Sequence, residues 1–248
     1  MKIYTGMTGG AKLEKVKKYK LGFMISSTPD RLPCAECKET FCALDNGAFI
    51  SHGRGYPFME SYFLKALDKC YSMGINLDFI VVPDIIGDGE RSLDFSLGWM
   101  DRLIGGKLAL AVQDGMTPAM IPVNMPDVTT IFLGGSLTWK WDNAEVWKAF
   151  ADSRGLKFHI GRCGNLNALV KAKSLGVTSV DSTNFVRNDN WTVLDQLGEV
   201  PSLCPSCGVK PDIGINGMVE HYDCANGFMI GAFTPKVWEH HCQSGNML

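Results

Sequence analysis

KFHIGRCGNLNALVKAKSLGVTSVDST (157–183) decides the fold. It opens on an apolar strand, Lys157–Gly161, that stops at a glycine. A helical stretch follows, leaves through Ser174-Leu175-Gly176, and gives way to a second strand, Thr178–Asp181, that ends on an aspartate. Glycine just past the last helical turn, with an apolar run directly after it, is how a helix hands the chain to the next strand of a parallel sheet.

The same grammar recurs outward from this unit. Ser72-Met73-Gly74 and Ser153-Arg154-Gly155 also precede apolar runs. Further strands are expected at Lys2–Thr5, Leu21–Ser26, Phe41–Leu44, Asp78–Val82, Leu108–Gln113 and Thr129–Leu133. Between them, Met59, Phe63, Leu67 and Cys70, and then Val146 and Phe150, recur at helical spacing. Strands alternating with helices predict an α/β fold, and eight of them fit a (β/α)8 TIM barrel over residues 1–200. Thr28–Thr40 joins the second and third strands without a clear helix. Residues 201–248 read as a small irregular appendage packed on the barrel and carrying Cys and His.

Composition bounds the rest. With 248 residues, 46% of them hydrophobic, the chain can bury a full core, and a net charge of −2 argues against a strongly basic nucleic-acid coat. The opening MKIYTG reads as a strand and not a signal peptide, and no apolar run approaches the roughly 20 residues of a membrane span. A soluble, cytoplasmic protein without membrane contact is expected.

Six of the strands end on a polar residue or a glycine: Asp45, Asp84, Gln113, Gly134–Gly135, Gly161 and Asp181. In a parallel barrel all strand C-termini share one face, where such folds carry their active sites. A lone aspartate at a strand end is more often a helix cap or a turn residue. Their gathering on one face is what points to catalysis.

Four segments extend that reading into a family resemblance. LDNGAF (44–49), AVQDG (111–115), FLGGS (132–136) and the closing unit HIGRCGNLNALVKAKSLGVTSVDST (159–183) resemble, in order, segments of the tRNA-guanine transglycosylase superfamily. Its members exchange guanine for a 7-deazaguanine within a polynucleotide. The resemblance implies Asp181 as the nucleophile that traps the sugar carbon and Asp45 as the general acid/base. It implies base reading by Asp84, Gln113, Gly134, Gly135 and Ser136, with Thr183 and Asn184 near sugar or phosphate.

Departures from the family shape the expected substrate. In members that use an aminomethyl base, the loop after the glycine pair carries a glutamate, whereas SLTWK (136–140) offers Lys140. A neutral side group, such as the nitrile of 7-cyano-7-deazaguanine, is therefore expected. The chain is shorter than the tRNA-modifying members and is similar to the short phage and bacterial enzymes that modify DNA. The expected partners are DNA, single-stranded or locally melted, and a free deazaguanine base. The alternatives are tRNA as the polymer, a non-catalytic nucleic-acid- or nucleobase-binding partner subunit, and a TIM-barrel hydrolase acting on free sugars; a homodimer or a partner subunit is the assembly considered.

Nine cysteines in two C-x-x-C pairs and single positions favour metal ligation or reduced thiols over a disulfide framework. A structural zinc is expected on Cys204, Cys207, His221 and Cys224, the last two at helical i,i+3 spacing. Cys34 and Cys37, or His240, His241 and Cys242, compete as ligands. Arg54, Arg162 and Arg187 follow strands and are expected at the rim as phosphate contacts, with Tyr56, Phe58 and Trp139 as stacking candidates. Lys12, Lys15, Lys17, Lys18 and Lys20 read foremost as a solvated helix face.

Overall fold

The computed structural model describes residues 1–28 and 31–199, and beyond them the backbone of three strands, 212–213, 219–222 and 229–233. Eight parallel strands close a barrel in the order β1 to β8. They are β1 (Lys2–Gly6), β2 (Gly22–Ile25), β3 (Cys42–Leu44), β4 (Leu77–Val81), β5 (Leu108–Val112), β6 (Val128–Leu133), β7 (Lys157–Ile160) and β8 (Ser179–Asp181). Closure comes from β8 against β1, with Ile3 opposite Val180 and Tyr4 opposite Asp181. Every expected strand is present, with boundaries moved by a residue or two.

The helices are α1 (Ala11–Lys18), α2 (Ala48–Gly53), α3 (Glu60–Ser72), α4 (Gly89–Met100), α5 (Leu137–Ser153), α6 (Leu166–Ser174), α7 (Asn184–Arg187) and α8 (Thr192–Glu199). Gly74, Gly155 and Gly176 all hold positive φ (67°, 64° and 67°), so each exits its helix in the left-handed conformation that the sequence pattern anticipates. Among the described residues, the β2–β3 connection carries a 3-10 turn, Ala35–Lys38, and the β5–β6 connection another, Pro118–Met120. The last strands, β9 (Asp212–Ile213), β10 (Val219–Tyr222) and β11 (Met229–Phe233), form an antiparallel sheet, a regular arrangement where an irregular appendage is expected. No helix among the described residues is long and apolar enough to cross a membrane.

Alternation along the strands divides the core in two. Phe23, Ile25, Leu44, Leu110, Ile131, Phe158 and Val180 belong to the layer between sheet and helices. Tyr4, Ala43, Phe79, Val81, Ala109 and Ala111 fill the barrel, with Phe132 and Met24 against them. On α5 the buried stripe is Lys140, Ala144, Trp147 and Ala151, while Val146 is 52% exposed. The Val146–Phe150 pair therefore does not mark the core face. Two aromatic neighbours in the same helix, Trp141 and Trp147, blur its period.

Candidate active site

Parallel strands buried on both faces stop where polar backbone meets solvent, and here those stops lie at one end of the barrel. The inward alternation of β3, β5 and β8 runs on into Asp45, Gln113 and Asp181. Asp84 lies three residues past β4, Gly134–Gly135 follow β6, and Gly161 follows β7. The structure thus brings together all the strand-end groups read from the sequence.

Three of them form one relay. Asn46 Nδ2 donates to Asp84 Oδ1 (2.8 Å) and to the Val82 carbonyl (2.8 Å). Gln113 Nε2 donates to Asp84 Oδ2, and the Gly135 N–H donates to Gln113 Oε1 at 3.0 Å. These contacts fix the Gln113 amide orientation, because the flipped amide would set oxygen against carboxylate and N–H against N–H. Each Asp84 oxygen keeps acceptor capacity, and Gln113 keeps a second N–H. A planar ligand with adjacent donors and a carbonyl matches this edge. Gly134 has to lack a side chain, since a Cβ there would lie 2.9 Å from Gln113 Nε2.

Asp181 is held differently. His159 Nε2 lies 3.0 Å from its Oδ1, and the Arg162 backbone N–H donates to the same oxygen at 3.3 Å. His159 is fully buried, and its Nδ1 lies 2.9 Å from Ser179 Oγ. The ring stacks on Phe132 (centroids 4.5 Å apart) and meets Phe79 and Tyr4 edge-on or tilted. Burial, partly offset by Asp181, pushes His159 below the ordinary histidine range.

Asp45 takes its donors from its own loop, the Gly47 and Asn46 backbone N–H groups. Burial, then repulsion from Asp181 and Asp84, pushes its carboxyl from the ordinary 3.8 up to about 7, against the pull of the Gly47 and Asn46 backbone N–H groups. Asp84 is pushed up to about 6 by burial and held back by Asn46 and Gln113. A carboxyl near neutrality beside a second, hydrogen-bonded carboxylate is an arrangement suited to acid/base work.

Several residues expected at the site also have partners within the fold. Lys140 is fully buried and donates to the Gly161 carbonyl, so it stands behind the site and does not line it. Burial and the Arg162 charge push its ammonium down to about 8. Ser136 caps α5 (3.4 Å to the Trp139 N–H) and donates to Asp114 Oδ1 at 2.6 Å. Asn184 pins a turn through Gly164 O (2.6 Å) and Asn188 (2.5 Å). Phe58 packs against Phe63, Phe95 and Trp99 and is no stacking platform, whereas Tyr56 is 60% exposed.

Of the arginines, Arg54 and Arg187 are exposed at helix ends. Arg162 adopts a φ of 61°, donates to the Gly135 carbonyl, and lies over the exposed Phe49 ring at 4.8 Å. It thereby links the loops after β6 and β7 to α2, which follows β3. On α1, Lys17 pairs with Glu14 and Glu39, Lys15 with Asp189, and Lys12 bonds the Val186 carbonyl, so much of that basic face is taken up internally.

Of the expected zinc ligands, Cys204, Cys207 and Cys224 lie outside the described residues, as do His240, His241 and Cys242. His221 falls on β10, a strand, where helical spacing is expected. Among the described residues no three His, Cys, Asp or Glu gather as a metal site, and Cys34, Cys37, Cys42, Cys70 and Cys163 are free thiols.

His159, Asn46 and Phe49 carry no role in the sequence reading. A usable signal was present for His159, which shares the inward phase of β7 with Gly161, opposite Ser179 of β8.

Fold and site together define a (β/α)8 barrel with an acidic C-terminal face. No protein-family model matches the chain, and no curated protein matches it.

Proposed function

We propose that the protein is a guanine transglycosylase that replaces guanine in DNA with a 7-deazaguanine such as 7-cyano-7-deazaguanine. The observation that carries the reading is the pairing of two unlike carboxyls at one barrel mouth, beside the Asp84–Gln113–Gly135 relay. Asp181 attacks C1′ of the nucleotide as the C1′–N9 bond breaks. The departing guanine takes the bonding electron pair and one proton from Asp45. The incoming base returns a proton to Asp45 as its nitrogen attacks C1′ and displaces the Asp181 carboxylate, so charge and protons balance. Asp84 accepts from the N–H groups of the base edge, Gln113 donates to its carbonyl, and Arg54, Arg162 and Arg187 meet phosphates. Cys204, Cys207, His221 and Cys224 are proposed to hold a structural zinc.

The choice of DNA rests on the resemblance to the DNA-modifying members, because the Lys140 ammonium is engaged by the Gly161 carbonyl and carries no argument about the base. Incubation with a guanine-containing oligonucleotide or with tRNA, each with labelled deazaguanine, tests both parts. Incorporation into DNA that Asp181→Ala abolishes is expected. Preference for tRNA would reassign the polymer, and no incorporation into either would reject the exchange.

A further inference from the structure

We infer that His159 is a positioning residue for Asp181: as a neutral ring protonated at Nε2 and held in that tautomer by Ser179, it directs Asp181 Oδ2 at the sugar carbon. The inference rests on the exchange reading for its function and on the hydrogen bonds alone for its geometry. An ionised carboxylate can only accept, so the 3.0 Å contact at Oδ1 requires the proton on His159 Nε2. The ring is fully buried, which disfavours a second proton, so the other nitrogen accepts, and Ser179 Oγ, 2.9 Å away, is the group that donates to it. Second groups of this kind set tautomer and ring orientation in catalytic histidines.

The two bonds on Asp181, from His159 and from the Arg162 N–H, both fall on Oδ1. Among the described residues no hydrogen bond falls on Oδ2, the oxygen left for attack. The ring itself is fixed by the Phe132 stack and by Tyr4 and Phe79. Once Oδ2 is esterified to the sugar, Nε2–H still donates to Oδ1, now the ester carbonyl. When the incoming base displaces Asp181, the same N–H meets the returning charge. His159 thus speeds resolution of the covalent intermediate as well as its formation, by acting on the carboxylate and not on substrate.

The charged and titratable groups around the pair are Asp181 on β8, Tyr4 on β1, Lys140 on α5, Arg162 and Cys163 after β7 and Asp45 after β3. None of them except Asp181 is hydrogen-bonded to the ring, so substitution at 159 reads mainly on one partner.

His159→Phe keeps the ring and removes the donor. His159→Gln keeps a donor near the Nε2 position. With the full chain, guanine-containing DNA and labelled deazaguanine, His159→Phe should lower kcat about 10- to 100-fold, with KM for the base unchanged, as expected for losing a hydrogen bond to a charged group. The DNA-linked protein should persist longer in denaturing gels, and His159→Gln should recover most of the rate. Wild-type kinetics in a folded His159→Phe, or no recovery in a folded His159→Gln, would overturn the assignment.

Ring ¹⁵N shifts of His159, assigned by its loss in His159→Gln, supply a readout independent of activity. A neutral Nε2–H tautomer is expected from pH 6 to 8, with Ser179→Ala mixing in the other tautomer. An Nδ1–H ring or an imidazolium refutes the positioning even if exchange occurs. The expected tautomer without any exchange would reject the transglycosylase reading and leave the His159 geometry standing.

Discussion

Replacing Asp45 with asparagine should stabilise the protein above neutral pH while removing its chemistry. The folded protein holds the Asp45 proton more tightly than the unfolded chain does, with the carboxyl raised from 3.8 to about 7. The contribution of such a group is fully present below about pH 4 and is lost as pH climbs through about 7. At 1.36 kcal/mol for each pH unit of displacement, the loss reaches ~4 kcal/mol. Asp45 is only half-buried, so solvent relaxation reduces this to about 2–3 kcal/mol. Asparagine keeps the shape and cannot ionise. Urea unfolding of both proteins at pH 5, 6, 7 and 8 should show the Asp45→Asn advantage growing by about 1 kcal/mol between pH 5 and 7 and then levelling off. Taking the difference between the two proteins cancels most other titrations. A difference that stays flat from pH 5 to 8 would refute the electrostatic account of Asp45, and with it the argument that this carboxyl is poised for proton transfer.

Lys140→Met tests the opposite sign. Its ammonium is pushed down to about 8, so the wild type should gain stability relative to the variant as pH rises from about 8 to 10.5, whatever the offset from losing the Gly161 contact. Equal pH profiles would show that the ammonium is hydrated. Gly134→Ala places a Cβ 2.9 Å from Gln113 Nε2 and should weaken base binding more than 10-fold by calorimetry (about 1.4 kcal/mol or more). Gly53→Ala, with nothing within 4 Å, should be silent. Elemental analysis should find about one zinc per chain, retained in Cys34→Ser and lost in Cys204→Ser, as a tetrahedral site built after the barrel requires. Zinc lost from Cys34→Ser instead would move the site to the β2–β3 turn.

The strands were legible because a parallel sheet covered on both faces leaves uninterrupted apolar runs, such as FIVV (79–82) and LALAV (108–112). The glycine exits were legible because left-handed backbone is costly for other residues. Side-chain direction was harder to read. Lys140 sits four residues past Ser136, and on a helix that spacing turns it to the face that Ala144, Trp147 and Ala151 bury. His159 was hidden by its neighbours, since Phe158 and Ile160 make the segment look uniformly apolar although they face outward and His159 faces in. Contacts such as Asn46 to Asp84 join different strands and have no local signature.

The strand-end carboxyls would be costly if they were alike, because crowding anions in a buried place raises every one of them. The barrel separates their surroundings instead. Donors gather on Asp181, through His159 and the Arg162 backbone, while Asn46 and Gln113 are spent on Asp84. At Asp45, burial and the repulsion of the other two outweigh the Gly47 and Asn46 backbone N–H groups. Removing one donor should therefore do more than weaken one contact. Gln113→Leu leaves Asp84 short of a hydrogen bond, so Asp84 should take up a proton more readily and present a donor where a base needs an acceptor. Binding of a guanine-like base to that variant should then weaken most steeply below about pH 7, the side on which Asp84 carries the proton. A loss of affinity equal at pH 6 and pH 9 would show that Gln113 acts only through its own contact with the base.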